Sequence, residues 1–345
     1  MRILIDITHP AHLHFFRHAV RQLTDQGHTV KLTGRDKDIL VTLAAKYGFD
    51  IEIFGTAKKG SANLMSELLQ RQWRLQKIIR KFKPDTMMAI AGTYIASLGW
   101  LFRIPTYVFY DTEHATLSNV LSYPFATCVY VPRPYLKSIR WRHERYDGYH
   151  ELAYLHPTYF TPDPGVLDDV GLQKGEPFSI VRFVGWGAAH DQGVKGFSET
   201  DKVRAVHELH RFGRVFISCE GDMPEELETM RLNLDVSRIH DLTAFASLMF
   251  GESGTMTSEA AVLGVPSVYI NPLSMGYIEE QQQKYGLVFG FRGAQFDQAL
   301  EKAKAILNTS SQAEWRARAD KLLDNTVDVT KMICDIATKQ PFSNR

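Results

Sequence analysis

The sequence predicts an α/β protein built of two doubly wound domains, on three observations. The chain has 345 residues, about two domains at roughly 150 residues each. Short apolar strands alternate with amphipathic helices along it. A turn-rich stretch interrupts the alternation, which then restarts.

In the first half, residues 2–7 (RILIDI) read as a strand buried on both faces. Pro10 stands where a first helical turn begins, Leu13, Phe16, Val20 and Leu23 follow at helical spacing, and Gly27 ends the helix. Residues 29–33 are a second strand, 36–47 a second helix closed by Gly48, and 51–54 a third strand. Residues 62–82 form a long basic helix, 86–91 and 106–110 strands with a helix between them, and 127–131 the last strand of this half. Residues 158–175 (TYFTPDPGVLDDVGLQKG) read as a linker. Beyond it come strands at 178–184, 214–218, 248–251 and 267–270, with helices at 200–211, 256–263, 277–285, 297–308 and 313–338, the last broken near Asn325. Alternation of this kind implies parallel sheets covered on both faces. The expected domains are 1–160 and 175–325, with a C-terminal helix in 326–345 packing back on the N-terminal domain. Two such domains leave a cleft, and ligands of open α/β sheets bind beyond the carboxyl ends of strands.

Composition narrows the function classes. Hydrophobic residues are 44% and charged residues 23%, values of a globular chain, and the formal charge of +1 argues against a polycation made for nucleic acid. The balance is a cancellation: the first 172 residues hold 21 basic and 16 acidic residues, the remainder 19 and 23. Residues 68–84 (LLQRQWRLQKIIRKFKP) carry six basic residues and no acidic one; residues 133–145 carry five and one. The helix at 68–83 reads either as a solvated face with Leu69, Trp73, Ile78 and Phe82 interleaved among cations, or as a surface drawn to anionic lipid or a lipid diphosphate. Cys128, Cys219 and Cys334 form no paired motif, which fits a reducing cytoplasm. The apolar run at the N-terminus stops at Asp6, too short for a secretory leader. Residues 86–102 are uncharged, but Gly92, Thr93 and Gly99 mark a buried strand, a turn and a helix rather than a membrane span.

The loops after strands carry the candidate chemistry. Behind the strand LMFG come Glu252, Ser253, Gly254 and Thr255, then a helix. Gly254 permits close approach, Ser253 and Thr255 offer hydroxyls, and the helix start offers unpaired N–H groups: an anion site suited to a diphosphate. Glu259, one turn on, can accept hydrogen bonds from a ribose diol. The plainer reading is a capped helix with a surface glutamate. Gly185-Trp186-Gly187 follows another strand but lacks the third glycine of a dinucleotide fingerprint, with His190 in its place. Ser218-Cys219-Glu220-Gly221 is a further loop of this kind. In the first half, His9, His12, His14 and His18 follow the first strand. His14 and His18 stand at the i, i+4 spacing of a zinc chelate, without HExxH or a nearby carboxylate; surface histidines, or an active-site loop whose neutral histidine takes a hydroxyl proton, are the other readings. Asp111, Glu113 and His114 follow the strand TYVFY, and Asp111 or Glu113 is a second candidate base, or else a buried or capping carboxylate.

The segment IHDLTAFASLMFGESGTMTSEAAVLGVPSVYINP resembles the nucleotide-sugar site of GT-B glycosyltransferases and the related sugar-nucleotide 2-epimerases: Ser253 and Gly254 end a strand, Glu259 lies on the next helix, and Gly264 and Pro266 enter the next strand. The strings HPAHLHFF, YDTEHA, YDGYHELAYLHP and VRFVGWGAAHD together resemble the domain-of-unknown-function 354 family of the same group, from the N-terminus to about residue 290. The resemblance implies a GT-B fold with two Rossmann-like domains facing a central cleft. It implies phosphate binding at Ser253–Thr255, ribose binding at Glu259, a loop at His240 bordering the nucleobase, and Arg182 and His190 facing the leaving diphosphate. His9, His14 and Asp111 would lie on the acceptor side, with His12 or Glu113 as base. Thr93 stands where the 2-epimerases carry an acid, which counts against epimerisation.

The activity expected is therefore glycosyl transfer from a nucleotide-diphosphate sugar, UDP-linked by preference, to a hydroxyl of a glycan or lipid-linked acceptor in polysaccharide or glycoconjugate assembly. No metal and no cofactor beyond the donor is required, and no nucleic acid partner is expected. The location expected is cytoplasmic, with peripheral contact at the inner membrane face. A UDP-sugar 2-epimerase, a non-catalytic nucleotide-sugar binder and a dinucleotide oxidoreductase are the alternatives.

Overall fold

The computed structural model describes residues 1–37, 39–56, 61–114, 116–184, 196–219, 221–273, 275–309 and 311–339. The chain divides into two units, Met1–Tyr154 with Val327–Arg345, and Leu155–Thr326.

The first unit runs β1 (Arg2–Ile7), α1 (Pro10–Asp25), β2 (Thr29–Asp36), α2 (Leu40–Lys46), β3 (Ile51–Thr56), α3 (Ser61–Phe82), β4 (Thr86–Ile90), α4 (Ala96–Phe102), β5 (Thr106–Phe109), α5 (Thr116–Ser122), β6 (Cys128–Pro132) and β7 (His143–Tyr146), with α6 (Leu152–Leu155) at its border. The sheet order is β3-β2-β1-β4-β5-β6-β7, parallel throughout. Five residues of β1 are buried, four of them the isoleucines and leucine of its apolar run and the fifth Asp6. Helix α1 is specified at both ends. His9 is its N-cap and Pro10 its first residue; Gly27 behind it takes φ +84, open to glycine at no steric cost. Right-handed crossovers place α1 and α2 on one face of the sheet and α3, α4 and α5 on the other.

Three expectations for this half change, whereas residues 86–102 keep the strand, turn and helix expected of them. The second helix starts at Leu40, not residue 36, because β2 continues to Asp36, which pairs with Thr56 of β3 past a register shift. The last strand is β7, not β6. Its sequence HERY has no apolar run because it lies at the sheet edge and buries only Tyr146. Leu69 and Trp73 of the basic helix are exposed, whereas Ile78 is buried. Arg71, in the middle of the basic run, is buried too. Residues 86–102 form β4, a turn at Gly92 with φ +67, and α4.

The second unit runs α7 (Val166–Asp169), β8 (Phe178–Phe183), α8 (Glu199–His210), β9 (Arg214–Cys219), α9 (Ile239–Phe245), β10 (Leu248–Gly251), α10 (Gly254–Val262), β11 (Ser267–Ile270), α11 (Gly276–Gln283), β12 (Val288–Phe291), α12 (Phe296–Thr309) and α13 (Gln312–Asp324). Its parallel sheet has the order β12-β11-β10-β8-β9. Residues 158–175 are not a free linker: Val166, Leu167 and Leu172 are buried in this unit's core with Phe178, Ile180 and Met249. Strand β12, with Gly290 inside it, escaped the sequence reading. After α13 the chain breaks at Asn325 and returns as α14 (Val329–Thr338) to the first unit, packing on α1 and β4. There Thr330 Oγ1 donates to the carbonyl of Ala153 at 2.7 Å.

Each sheet reverses its strand order once, between β1 and β4 and between β8 and β10. Such reversal points splay the following loops apart and open a crevice. One carries the histidine loop; the other carries Glu252–Thr255.

Candidate functional site

In the second unit, Arg182, the last residue but one of β8, lies directly opposite Gly251 of β10. Gly251 has φ +154, and a Cβ there would come within 2.2 Å of the Arg182 carbonyl oxygen, so only glycine lets the strands meet at this point. Arg182 Nη1 donates to Ser218 Oγ at 2.7 Å, across to β9. The structure thus brings Arg182, Ser218 and the Ser253–Thr255 turn to adjacent strand ends. Ser253 caps α10, its Oγ accepting the Met256 N–H at 3.3 Å. Gly254 lies beneath Met275 and Tyr277: a Cβ there would meet Met275 Cε at 2.2 Å and Tyr277 Oη at 2.9 Å. Thr255 is exposed. What is offered to an anion is the hydroxyl of Thr255, the hydroxyl hydrogen of Ser253, which capping leaves unspent, and the dipole of α10.

Glu259 is buried and accepts from His240 Nε2 at 2.9 Å; His240 is buried as well. His240 belongs to helix α9 rather than to a loop, and Phe160 stands edge-on to its ring at 6.4 Å. Sequence reasoning missed Glu252. Its two carboxylate oxygens accept the N–H groups of Val184, at 3.1 Å, and Phe197, at 3.0 Å. It therefore pins both sides of residues 185–195. His190 lies in that stretch, outside the described residues.

In the first unit, Asp6, the last residue but one of β1, is held in a buried ion pair. Arg71 Nη2 reaches its two oxygens at 2.9 and 3.2 Å, and Thr33 Oγ1 donates to it at 2.8 Å. Arg71 Nη1 also donates to the carbonyls of Gly34 and Phe54. Its guanidinium lies over the rings of Phe54 and Tyr94. One side chain of α3 thus ties together the carboxyl ends of three strands and fixes where the histidine loop departs.

His9 folds back on that loop, its Nδ1 accepting the Ala11 N–H at 3.2 Å. His12 is half-buried, with Nδ1 3.3 Å from Thr8 Oγ1, while Arg35 Nε donates to the Thr8 carbonyl at 3.2 Å. Burial, followed by the positive neighbours His9, His150, Lys37 and Arg35, holds the His12 pKa well below the ordinary 6.5. The ring is uncharged at neutral pH. The Thr8 N–H donates to Nδ1 at 3.4 Å, which places the ring hydrogen on Nε2; for Nε2 to accept a proton, the ring must give up that bond and carry its hydrogen on Nδ1, directed at Thr8 Oγ1.

Asp111 Oδ2 lies 3.0 Å from His150 Nδ1. Burial works against the Asp111 charge, but His150 and the hydrogen bonds to it and to Thr112 outweigh burial and hold the carboxyl below its usual value. His150 Nε2 is buried without a hydrogen-bond partner among the described residues, and its ring packs 4.5 Å from Phe15. This carboxylate–histidine pair was not anticipated; its signal, a histidine just past a strand, was hidden with β7. Glu113 is buried and accepts the Leu136 N–H at 3.1 Å, so it anchors the loop after β6. His14 and His18 both turn to the buried Arg17. Arg17 Nε donates to His18 Nε2 at 3.1 Å, and Nη1 lies 3.4 Å from His14 Nδ1 and donates to Tyr47 Oη at 2.7 Å. They are spent on a cation rather than spaced to hold one, and His14 stacks on Tyr154 rather than joining His12.

Residues 1–337 match the family described as "Protein of unknown function (DUF354)". An uncharacterized protein of Methanocaldococcus jannaschii is 23% identical over 288 residues, 78% of this chain and 82% of its own. Among solved structures, the spinosyn rhamnosyltransferase SpnG complexed with spinosyn aglycone superposes with a TM-score of 0.62 at 12% identity, covering 96% of this chain and 99% of its own. The UDP-GlcNAc 2-epimerase of Methanocaldococcus jannaschii does so with 0.64 at 11%, covering 90% and 94%. At such identities the likeness is one of fold, and the fold is GT-B.

Proposed function

The chain belongs to the DUF354 family, and on that premise we propose that it is a glycosyltransferase drawing on a nucleotide-diphosphate sugar, UDP-linked by preference. The second unit holds the donor: diphosphate at Thr255 and the N-terminus of α10, ribose at Glu259, with Arg182 and His190 answering the leaving-group charge. The dipole of α10 and these basic groups do the work a metal ion would do. The first unit holds the hydroxyl acceptor of a glycan or glycolipid. His12 Nε2 takes the acceptor proton, the acceptor oxygen bonds to the anomeric carbon, and the bond from that carbon to the diphosphate breaks, its electron pair leaving on the phosphate oxygen.

The observation that carries this reading is His12: a half-buried, uncharged imidazole in the first turn of α1, at the crevice of its sheet. Elimination and re-addition, the chemistry of a 2-epimerase, calls instead for several available acids. The carboxylates nearest this crevice are engaged: Asp6 with Arg71, Asp111 with His150, Glu113 with the Leu136 N–H. The turn after β4 offers Thr93. The solved neighbours supply precedent for both activities on this fold.

The test is a panel of UDP-, GDP-, CMP- and dTDP-sugars, read first by thermal shift, since ligand bound to the native state raises its stability. The bound donor is then incubated with and without a cell-envelope glycolipid extract. Acceptor-dependent release of the nucleotide is expected. Conversion of the donor sugar to its epimer without acceptor would replace this reading with isomerisation; tight binding with neither outcome would leave a nucleotide-sugar-binding protein.

A further inference from the structure

The large apolar side chains that stay exposed are distributed unevenly. Among the described residues all of them belong to the first unit and none to the second. Six lie on one layer of it, the helices α3, α4 and α5 and the turn after α5. They are Leu69 and Trp73, Trp100 and Leu101, and Val120 and Phe125; the first five are 57–65% exposed. The layer is continuous. Gln72 of α3 donates to Ser97 of α4 at 2.9 Å, Arg80 lies over the ring of Phe102, and Trp100 meets Phe125 edge-on at 5.9 Å. The opposite layer is finished differently, for α14 covers α1.

Charge is equally one-sided. From Leu68 to Pro84 there is no carboxylate, and none occurs in α4 or α5. Arg74, Lys77, Arg80, Lys81 and Lys83 are exposed. Lys77 stands 3.3 Å above the ring of Trp73, so ammonium and indole leave the surface together. Asp85, the next acid, is tied to Arg2.

We propose that the α3–α4–α5 layer is a docking surface for an anionic phospholipid bilayer. Trp73, Trp100 and Leu101 would enter the headgroup boundary while the cations of α3 meet lipid phosphates. Indole rings favour that boundary, being apolar with one polar edge, and exposed apolar area combined with a basic strip is what reversible interfacial binding requires. A protein partner would fit the apolar patch, but the run from Leu68 to Pro84 and helices α4 and α5, cationic or neutral and without a carboxylate, favour lipid phosphate. No helix among the described residues is long and apolar enough to cross a membrane, so the contact is with the surface. This goes beyond the transferase reading and does not depend on it.

The test is flotation of the full-length protein with vesicles of phosphatidylcholine containing about 30% phosphatidylglycerol, against pure phosphatidylcholine. Binding to the anionic vesicles alone is expected, falling steeply as salt is raised, because exposed charges are screened. Trp73→Ala/Trp100→Ala/Leu101→Ala should lower the partition constant at least about tenfold, and Lys77→Glu/Arg80→Glu should remove the preference for anionic lipid. All these side chains are exposed, so melting temperature and nucleotide binding should be those of the parent protein. Absence of binding to anionic vesicles, equal binding to neutral ones, or variants that bind like the parent would overturn the proposal. So would an oligomer, seen by sedimentation, that the triple variant converts to monomer, since the layer would then be an interface between copies of the chain.

Discussion

Replacing Arg71 by methionine tests the internal frame on which the first unit's crevice rests. Arg71→Met keeps an unbranched stem against Phe54 and Tyr94 but deletes four hydrogen bonds, two to Asp6 and one each to the carbonyls of Gly34 and Phe54. Asp6, 2% exposed, loses the cation that pairs its charge and keeps the Thr33 hydroxyl. Breaking a buried ion pair from one side costs about 3–5 kcal/mol, most of it the burden of the charge left behind. At about 2–4 °C per kcal/mol for a unit of this size, the melting transition should fall by about 10 °C. Because two units can unfold separately, calorimetry should be paired with hydrogen exchange at the β1 amides, which the loss should loosen. The double variant Asp6→Leu/Arg71→Met, which removes both charges, should recover part of the loss, since the two side chains are one network. A cost below about 1 kcal/mol for Arg71→Met, or a double variant less stable than the sum of the singles, would refute this account of the strand ends.

Two further outcomes follow from the same physics. Glu259→Ala should weaken UDP binding by about 1–3 kcal/mol, the range for hydrogen bonds to a charged group, and should also lower the melting temperature because it strips a partner from buried His240. Unchanged affinity by calorimetry would remove Glu259 from the ribose. His18 is pushed down to about 4 by burial and then by Arg17 and Arg21. Between pH 6.5 and about 4 the unfolded chain takes up a proton that the folded state refuses, so stability declines as pH falls through that window and rises again with pH. His18→Gln should flatten the decline in melting temperature, and an unchanged slope would show that His18 does not cause it.

Much of this was legible because burial writes itself into sequence. β1, β8, β10 and β11 are buried on both faces and read as mostly apolar runs. Pro10, Gly27 and the break at Asn325 mark helix ends through backbone geometry alone. Two of the four edge strands were not legible, since β7 buries one residue of four and β12 is short and holds a glycine. Position along the chain also concealed Arg71 within a basic run, although it stands in helical register with Leu75, Ile78 and Phe82, which would have placed it on the buried face. The candidate residues were found as loops behind strands, but their partners were not. That Glu259 meets His240 and Asp111 meets His150 depends on register between elements far apart in sequence. No spacing rule carries that information.

The division of labour, donor on the second unit and base on the first, is tested most directly by His12→Ala. Nucleotide release from the donor found in the panel, with the glycolipid extract as acceptor, should fall by about 10²–10⁴-fold, the usual worth of a positioned base. UDP affinity, measured by calorimetry on the same preparation, should stay within about twofold. Turnover of the parent protein should remain level as pH falls through 6.5, since His12 stays uncharged there. Full turnover in the variant, or a loss of UDP affinity matching the loss of rate, would contradict the assignment.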